Sequence, residues 1–301
     1  MPAGTARRAA IPVGADFVYP EGFVESAAQK GNVVGLGKAI RWNRLFAHPS
    51  GRLCSVAIDH FMNYQTSLPA GLRDLPGVIQ AIVAGRPDAL TMHKGVAMSC
   101  WPKFAGRVPL IIQSIIARPD DSADEAIATP EDAVRLGADA FATVAFVRGP
   151  SEAAHLRRVA DFVRQAAPYD MPVILHVYPR RYGENGPEVV YDPENIAWAV
   201  RCGVECGVDL IKVPYTGDPT SYGQIVRECP LPIVAAGGPR AETLRDALAM
   251  ASGVIAAGAR GLTVGRNIWG FPQVTQAVRA FKCVIHENVA PDQAMQTAEV
   301  V

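Results

Sequence analysis

Eight short apolar runs, rich in β-branched residues, constrain what this chain can fold into more than any other feature. They cover residues 53–59, 88–92, 109–116, 139–147, 172–178, 208–213, 232–236 and 260–264. Their nearly continuous apolar character is that of strands buried on both faces, the condition of a parallel sheet. Helical patterns separate them, over 75–84, 151–167, 241–257 and 271–287. Thr129-Pro-Glu-Asp-Ala opens a further helix with a capping threonine, proline at the first position and acids in the first turn. Asp192-Pro-Glu starts another that runs through Cys206. The phrases Leu136-Gly-Ala-Asp139, Cys206-Gly-Val-Asp209 and Ala257-Gly-Ala-Arg260 each put glycine where a helix stops and the next strand begins. Eight such units closing on themselves make an α/β protein of the TIM (β/α)8 barrel class, here with an N-terminal extension. A doubly wound open sheet is the runner-up, but no glycine-rich dinucleotide fingerprint follows the first strand.

The 301 residues suffice for one such barrel or for two ordinary domains, and at 49% hydrophobic they supply a sizeable core. Lysine plus arginine equals aspartate plus glutamate at 29 each, which argues against nucleic-acid or membrane-surface binding. No apolar run is long enough to span a bilayer, and the N-terminus lacks the layout of a signal peptide. The six cysteines show no zinc-type pairing and read as reduced thiols of a cytoplasmic protein. Residues 1–45 differ from the rest, with Arg7-Arg8 and scattered apolar residues such as Phe17, Tyr19 and Phe23 but no sustained period. They read as an extended arm, with a short helix allowed over 24–30, that packs on its own barrel or on a neighbouring subunit. The catalytic barrel is then 46–301.

Barrel chemistry sits at the C-terminal ends of the strands, so the residues there matter most. Strand one ends in Asp59-His60, strand two in His93-Lys94, and strand five in His176 and Tyr178 with Arg180-Arg181 beyond. Strand six carries Lys212, with Tyr215 after it. A buried strand disfavours an ammonium and favours the neutral amine, the form that attacks a carbonyl, so Lys212 is a candidate Schiff-base lysine. It could instead snorkel to solvent from the strand end. Strands seven and eight end in Gly237-Gly238 and Gly265-Arg266, a pairing that suits a phosphate: backbone N–H groups approach an anion closely and the arginine adds a charged fork. A tight turn alone would also use the glycines. Asp59 can serve an imine lysine, fix a substrate hydroxyl or simply pair with a lysine such as Lys94. Tyr178 can act as general acid and base or be an ordinary rim tyrosine. His60, His93 and His176 raise a rival, a metal-dependent barrel hydrolase, although they come from separate strands without a His-x-His pair.

Taken together, Ala57-Ile-Asp59-His60, Val177-Tyr178-Pro-Arg180, Asp209-Leu-Ile-Lys212-Val-Pro-Tyr215-Thr-Gly-Asp218-Pro219, Ala236-Gly237-Gly238-Pro239 and Val264-Gly265-Arg266-Asn267-Ile268-Trp269 resemble the archaeal-type class I fructose-bisphosphate aldolases. They also resemble the related branch that processes phosphorylated autoinducer-2. The similarity runs from about residue 52 to 287 with every motif in order. It implies a metal-independent, cofactor-free lyase acting on a phosphorylated keto compound. It also implies an imine on Lys212, acid–base work by Tyr178, Asp59 at the end of strand one, and phosphate held by Gly237, Gly238, Gly265 and Arg266. His60, Lys94 and His176 would complete the substrate pocket. The same iminium serves transaldol exchange, ketulosonate synthesis and retro-Claisen acyl transfer. Such proteins commonly assemble as homo-oligomeric rings, often decamers. Phe61 stands where the family usually has glycine, His176 where tryptophan is usual, Pro214 where a second lysine is common, and His93-Lys94 where arginine is frequent. These departures flank the acceptor end of the pocket, so the resemblance does not carry fructose 1,6-bisphosphate over as the substrate.

Overall fold

The computed structural model describes residues 35–64, 67–184 and 186–300. Eight parallel strands close on themselves: β1 (Leu53–Ala57), β2 (Ala89–His93), β3 (Leu110–Gln113), β4 (Ala140–Val147), β5 (Val173–Gly183), β6 (Leu210–Val213), β7 (Ile233–Ala236) and β8 (Gly261–Val264). Each pairs in parallel with the next, and β8 returns to β1 with Leu53 opposite Gly261 and Val56 opposite Val264. The barrel read from the eight runs is therefore the fold.

Alternation along the strands divides their side chains into two sets. The outward set, with Val56, Met92, Ile112, Leu175, Ile211, Val213 and Leu262 among it, joins the core between sheet and helices. The inward set is unusually polar: Ser55, Thr91, His93, Gln113, His176, Lys212 and Thr263 are all buried. The barrel's interior is thus packed for chemistry near its C-terminal mouth rather than for stability alone.

Helix starts lie on that same mouth, and the sequence fixes them with caps. Asp74 accepts from Gly77 N–H, Asp192 from Asn195 N–H and Asp218 from Ser221 N–H. Thr129 with Asp132 and Thr243 with Asp246 form reciprocal capping boxes. The cap at Asp218 opens the helix Pro219–Glu228 after β6.

The opposite end is knit by aspartates. Asp88, Asp139 and Asp209, each just before an even-numbered strand, accept from the backbone N–H of Cys54, Leu110 and Val173 in the strand before. Each carboxylate also meets a cation: Lys282 at Asp88, where His286 Nε2 lies 2.9 Å away as well, Arg44 at Asp139, and Lys38 at Asp209. Lys38 and Arg44 belong to the helix Leu36–Leu45, which buries Trp42 and Leu45. The sequence reading put residues 36–45 in an extended arm; they are helical and packed, because an apolar pair three residues apart and two well-placed cations meet the barrel floor. The arm proper and the helix allowed over 24–30 lie outside the described residues.

Two runs also differ in extent. The third run bends at Ser114, and Ile115–Ala117 leaves the barrel to pair antiparallel with Asp124–Ala126. The fifth continues past the mouth to Gly183 and turns back as Gly186–Val189. Both hairpins rise over the β3–β5 side of the mouth. No helix among the described residues is long and apolar enough to cross a membrane.

Candidate active site

Lys212 is the third residue of β6, level with His176 on β5 and Val234 on β7, and is 3% exposed. It lines a cavity of about 250 Å³ at the mouth. Tyr178 enters from β5, His60 from the end of β1, Thr263 from β8, and Gly237, Gly238, Gly265 and Arg266 from the last two strand ends. Snorkelling to bulk solvent is thus not what this lysine does.

Beneath the cavity lies a buried polar chain built on Gln113, the last residue of β3. Its Nε2 donates to Asp59 Oδ2 at 2.9 Å and approaches His176 Nδ1 at 3.3 Å, while its Oε1 accepts from Ser114 N–H at 3.0 Å. Because Nδ1 of His176 faces a donor, its proton belongs on Nε2. Asp59 Oδ1 lies 3.4 Å from His60 Nδ1. Burial pushes the Asp59 carboxyl up, but its interactions with His60 and Lys212, and then with His176 and His93, outweigh it and hold the group well below the usual carboxylate range. Burial lowers His60 to about 4 against the opposing pull of Asp59, with Lys212 and Arg266 adding to the drop. His176 is driven well below its ordinary value by burial and then by Lys212. Near neutral pH the site therefore holds an ionised Asp59 beside neutral His60 and His176.

The corner between β7 and β8 is fixed by Asn267. Its Nδ2 donates to the carbonyls of Gly237 (2.7 Å) and Pro239 (2.9 Å), and its Oδ1 accepts from Ala241 N–H (2.7 Å). Arg266 Nη2 donates to Gly238 O at 3.0 Å, which draws the guanidinium along the same loop. Gly238 sits in the left-handed region at φ +69, where a side chain would be strained. Gly237 has a different part. Its N–H donates to Thr263 O at 3.0 Å, and a Cβ there would lie 2.9 Å from Val264 Cα, so it allows close packing rather than offering a donor. A Cβ on Gly265 would lie 2.3 Å from His60 Cε1, which ties this glycine to the imidazole.

Not every candidate converges. Lys94 opens the short helix Lys94–Cys100, is 40% exposed on its side chain, and pairs at 3.2 Å with Asp132 of the neighbouring capping box. It does not reach Asp59. Arg180 is fully buried outside the cavity, where it binds the Pro119 carbonyl, Asp121 and Ser151 and holds the hairpin after β3 onto β5. Tyr215 turns outward to stack edge-on against Tyr222. His60 faces Asp59, while His93 meets the backbone carbonyl and His176 the side chain of Gln113, and no group of three His, Cys, Asp or Glu side chains among the described residues is placed to hold a metal ion. Among the described residues the three histidines thus form no ligand set for the metal-hydrolase reading.

The sequence reading missed Gln113, Asn267 and Tyr191. Gln113 breaks an isoleucine-rich run, and a lone amide in such a run is a signal for a buried hydrogen-bonding centre. Tyr191 follows the second hairpin and reaches the cavity beside Arg266 and Tyr178, and burial pushes its phenol up while Arg266 opposes.

The family model described as DeoC/LacD family aldolase matches residues 53–270. The chain is 30% identical over 268 residues to 2-amino-3,7-dideoxy-D-threo-hept-6-ulosonate synthase of Halobacterium salinarum, covering 88% of this chain and 97% of that protein. It is 29% identical over 255 residues to the class 1 fructose-bisphosphate aldolase of Thermoproteus tenax, covering 81% and 92%. Among solved structures, an archaeal fructose 1,6-bisphosphate aldolase superposes with a TM-score of 0.73 at 28% identity, covering 83% of this chain and 99% of that one. A structure of reaction intermediates of the Schiff-base-forming fructose-1,6-bisphosphate aldolase gives 0.72 at 28% identity, covering 82% and 99%.

Proposed function

Because the chain belongs to the DeoC/LacD family of aldolases, we propose that Lys212 carries its chemistry, as the amine that forms a Schiff base with a phosphorylated ketone. The observation behind this reading is one cavity that joins a buried lysine, a tyrosine and a corner of glycines with an arginine. The Lys212 amine adds to the ketone carbon, and loss of water from the carbinolamine leaves an iminium. That cation draws the electron pair of the bond between the α and β carbons as it breaks, giving an enamine. The departing carbon becomes an aldehyde as its hydroxyl proton passes to Tyr178. Tyr178 then returns a proton to the enamine carbon, and water hydrolyses the iminium to release the second product. Asp59, ionised and fixed by Gln113, stabilises the iminium or positions a substrate hydroxyl. Arg266, with the backbone of Gly238 and Gly265, holds the phosphate, while Gly237 gives the loop its close packing.

Borohydride added with dihydroxyacetone phosphate should leave one covalent adduct, read by intact mass and mapped to Lys212, and Lys212→Met should abolish both adduct and turnover. Activity surviving in the Met variant, with no adduct on the wild type, would sink the proposal. A homo-oligomer working in the cytoplasm completes this reading, and light scattering on the purified protein tests the assembly.

A further inference from the structure

Resting on that aldolase reading, we propose that the substrate is a ketone monophosphate whose far end is small and uncharged, and that a second phosphate is refused. The first observation is size. A cavity of about 250 Å³ lies below the ~300 Å³ at which pockets for drug-sized ligands begin. That size favours a compact ketone phosphate, with the far end of anything longer lying against the cavity wall.

The second observation is where the positive charge lies. Among the described residues that line the cavity, Lys212 and Arg266 are the lysine and arginine, and Arg266 is on the β7–β8 corner. The other cations near the mouth are committed elsewhere. Lys94 pairs with Asp132, Arg180 is enclosed by Asp121, Ser151 and the Pro119 carbonyl, and Arg181 pairs with Glu188. Arg148 lies over the Trp198 ring at 4.0 Å and bonds Asn195, Arg118 bonds the Met62 carbonyl and Ser122, and Arg240 bonds the Gly270 carbonyl and lies over Phe271.

The third observation is what stands in their place. Val189 and Pro214 line the cavity, and the Tyr178 ring packs in an apolar cluster with Ile115, Val144 and Phe146 that Val189 adjoins. Phe146 lies 5.8 Å from Tyr178, centroid to centroid. A second phosphate at this wall would lose water without gaining a cation, an unfavourable exchange for a dianion. A hydroxymethyl or methyl terminus meets no such cost.

Fructose 1-phosphate and fructose 1,6-bisphosphate differ in that second phosphate alone, so they form the test. The concentration giving half-maximal borohydride-trapped adduct should be lower for the monophosphate by about tenfold or more. Val189→Lys places an ammonium at the apolar wall, and it should narrow that ratio by recovering the bisphosphate. Equal trapping of the two by the wild type overturns the inference and leaves the aldolase reading intact. So does a ratio that Val189→Lys does not move. Failure of every ketone phosphate to trap, with dihydroxyacetone phosphate as the control, removes the aldolase reading and the inference with it.

Discussion

Replacing Asn267 by aspartate changes one atom's chemistry and hardly any shape, and it should be among the most damaging single substitutions in this protein. Asn267 is 2% exposed and makes three hydrogen bonds, two as donor and one as acceptor. Aspartate keeps the acceptor toward Ala241 N–H. It turns the donor into an anionic oxygen facing the carbonyls of Gly237 and Pro239 at 2.7 and 2.9 Å. Losing two bonds costs about 1 kcal/mol each, and two buried carbonyls left facing a negative oxygen add about 1–3 more. The expected loss is about 3–5 kcal/mol, more than a hundredfold in the folding equilibrium. Asn267→Ala removes all three bonds but creates no repulsion, so it should lose less, about 2–3 kcal/mol. Urea unfolding of both variants gives the stabilities, and the rise in melting temperature with inorganic phosphate reports the corner itself. Both variants should lose most of that phosphate-dependent rise. If the aspartate variant unfolds at the wild-type midpoint, or is more stable than the alanine variant, then Nδ2 does not pin the loop and the reasoning is wrong.

Two further outcomes follow from other parts of the barrel. Burial keeps His60 neutral down to about 4 in the fold, whereas the unfolded chain protonates it near 6.5. The unfolded state thus binds more protons within that window, so stability should fall as pH drops from about 6.5 to about 4. His60→Gln should flatten this stretch of a urea-midpoint profile, and an unchanged profile would refute the assignment. Gly261 has φ +129, and a Cβ there would lie 2.0 Å from Leu53 O. Gly261→Ala should therefore cost several kcal/mol (~3 or more by backbone strain and clash), seen as a large fall in melting temperature. A variant within a degree or two of wild type would show that β8 can approach β1 without glycine.

Much of this was legible in the sequence, and the misses have physical causes. The eight runs were visible because parallel barrel strands are buried on both faces and so write themselves as continuous apolar segments. Lys212 stood out because an ammonium in such a run is costly, and the corner glycines because they cluster at two successive strand ends. Lys94 misled, since strand-end position alone does not say which way a side chain turns. His93 is the last strand residue and faces in, and the next residue starts a helix and faces Asp132. Arg180 stands out at its strand end, but its bracing role is not legible, because its partners Asp121 and Ser151 lie 59 and 29 residues away. Gln113 and Asn267 carry no charge, so a search for ionisable groups passed them by, although they orient the groups it found.

The aspartates at the barrel floor bear on how the chain assembles. Asp88 reaches Cys54, Asp139 reaches Leu110 and Asp209 reaches Val173 across 34, 29 and 36 residues, each within a single strand–helix–strand stretch. Each of these loops closes at modest entropic cost, soon after its second strand has emerged in synthesis. The eighth strand begins instead with Arg260, and the contact of Gly261 with Leu53 spans nearly the whole barrel sequence. Nascent chain can therefore be stitched pairwise from the front, with ring closure left as the late event. What that last event requires is not another carboxylate but a residue without a side chain, at the one place where two strands far apart in time must meet backbone to backbone.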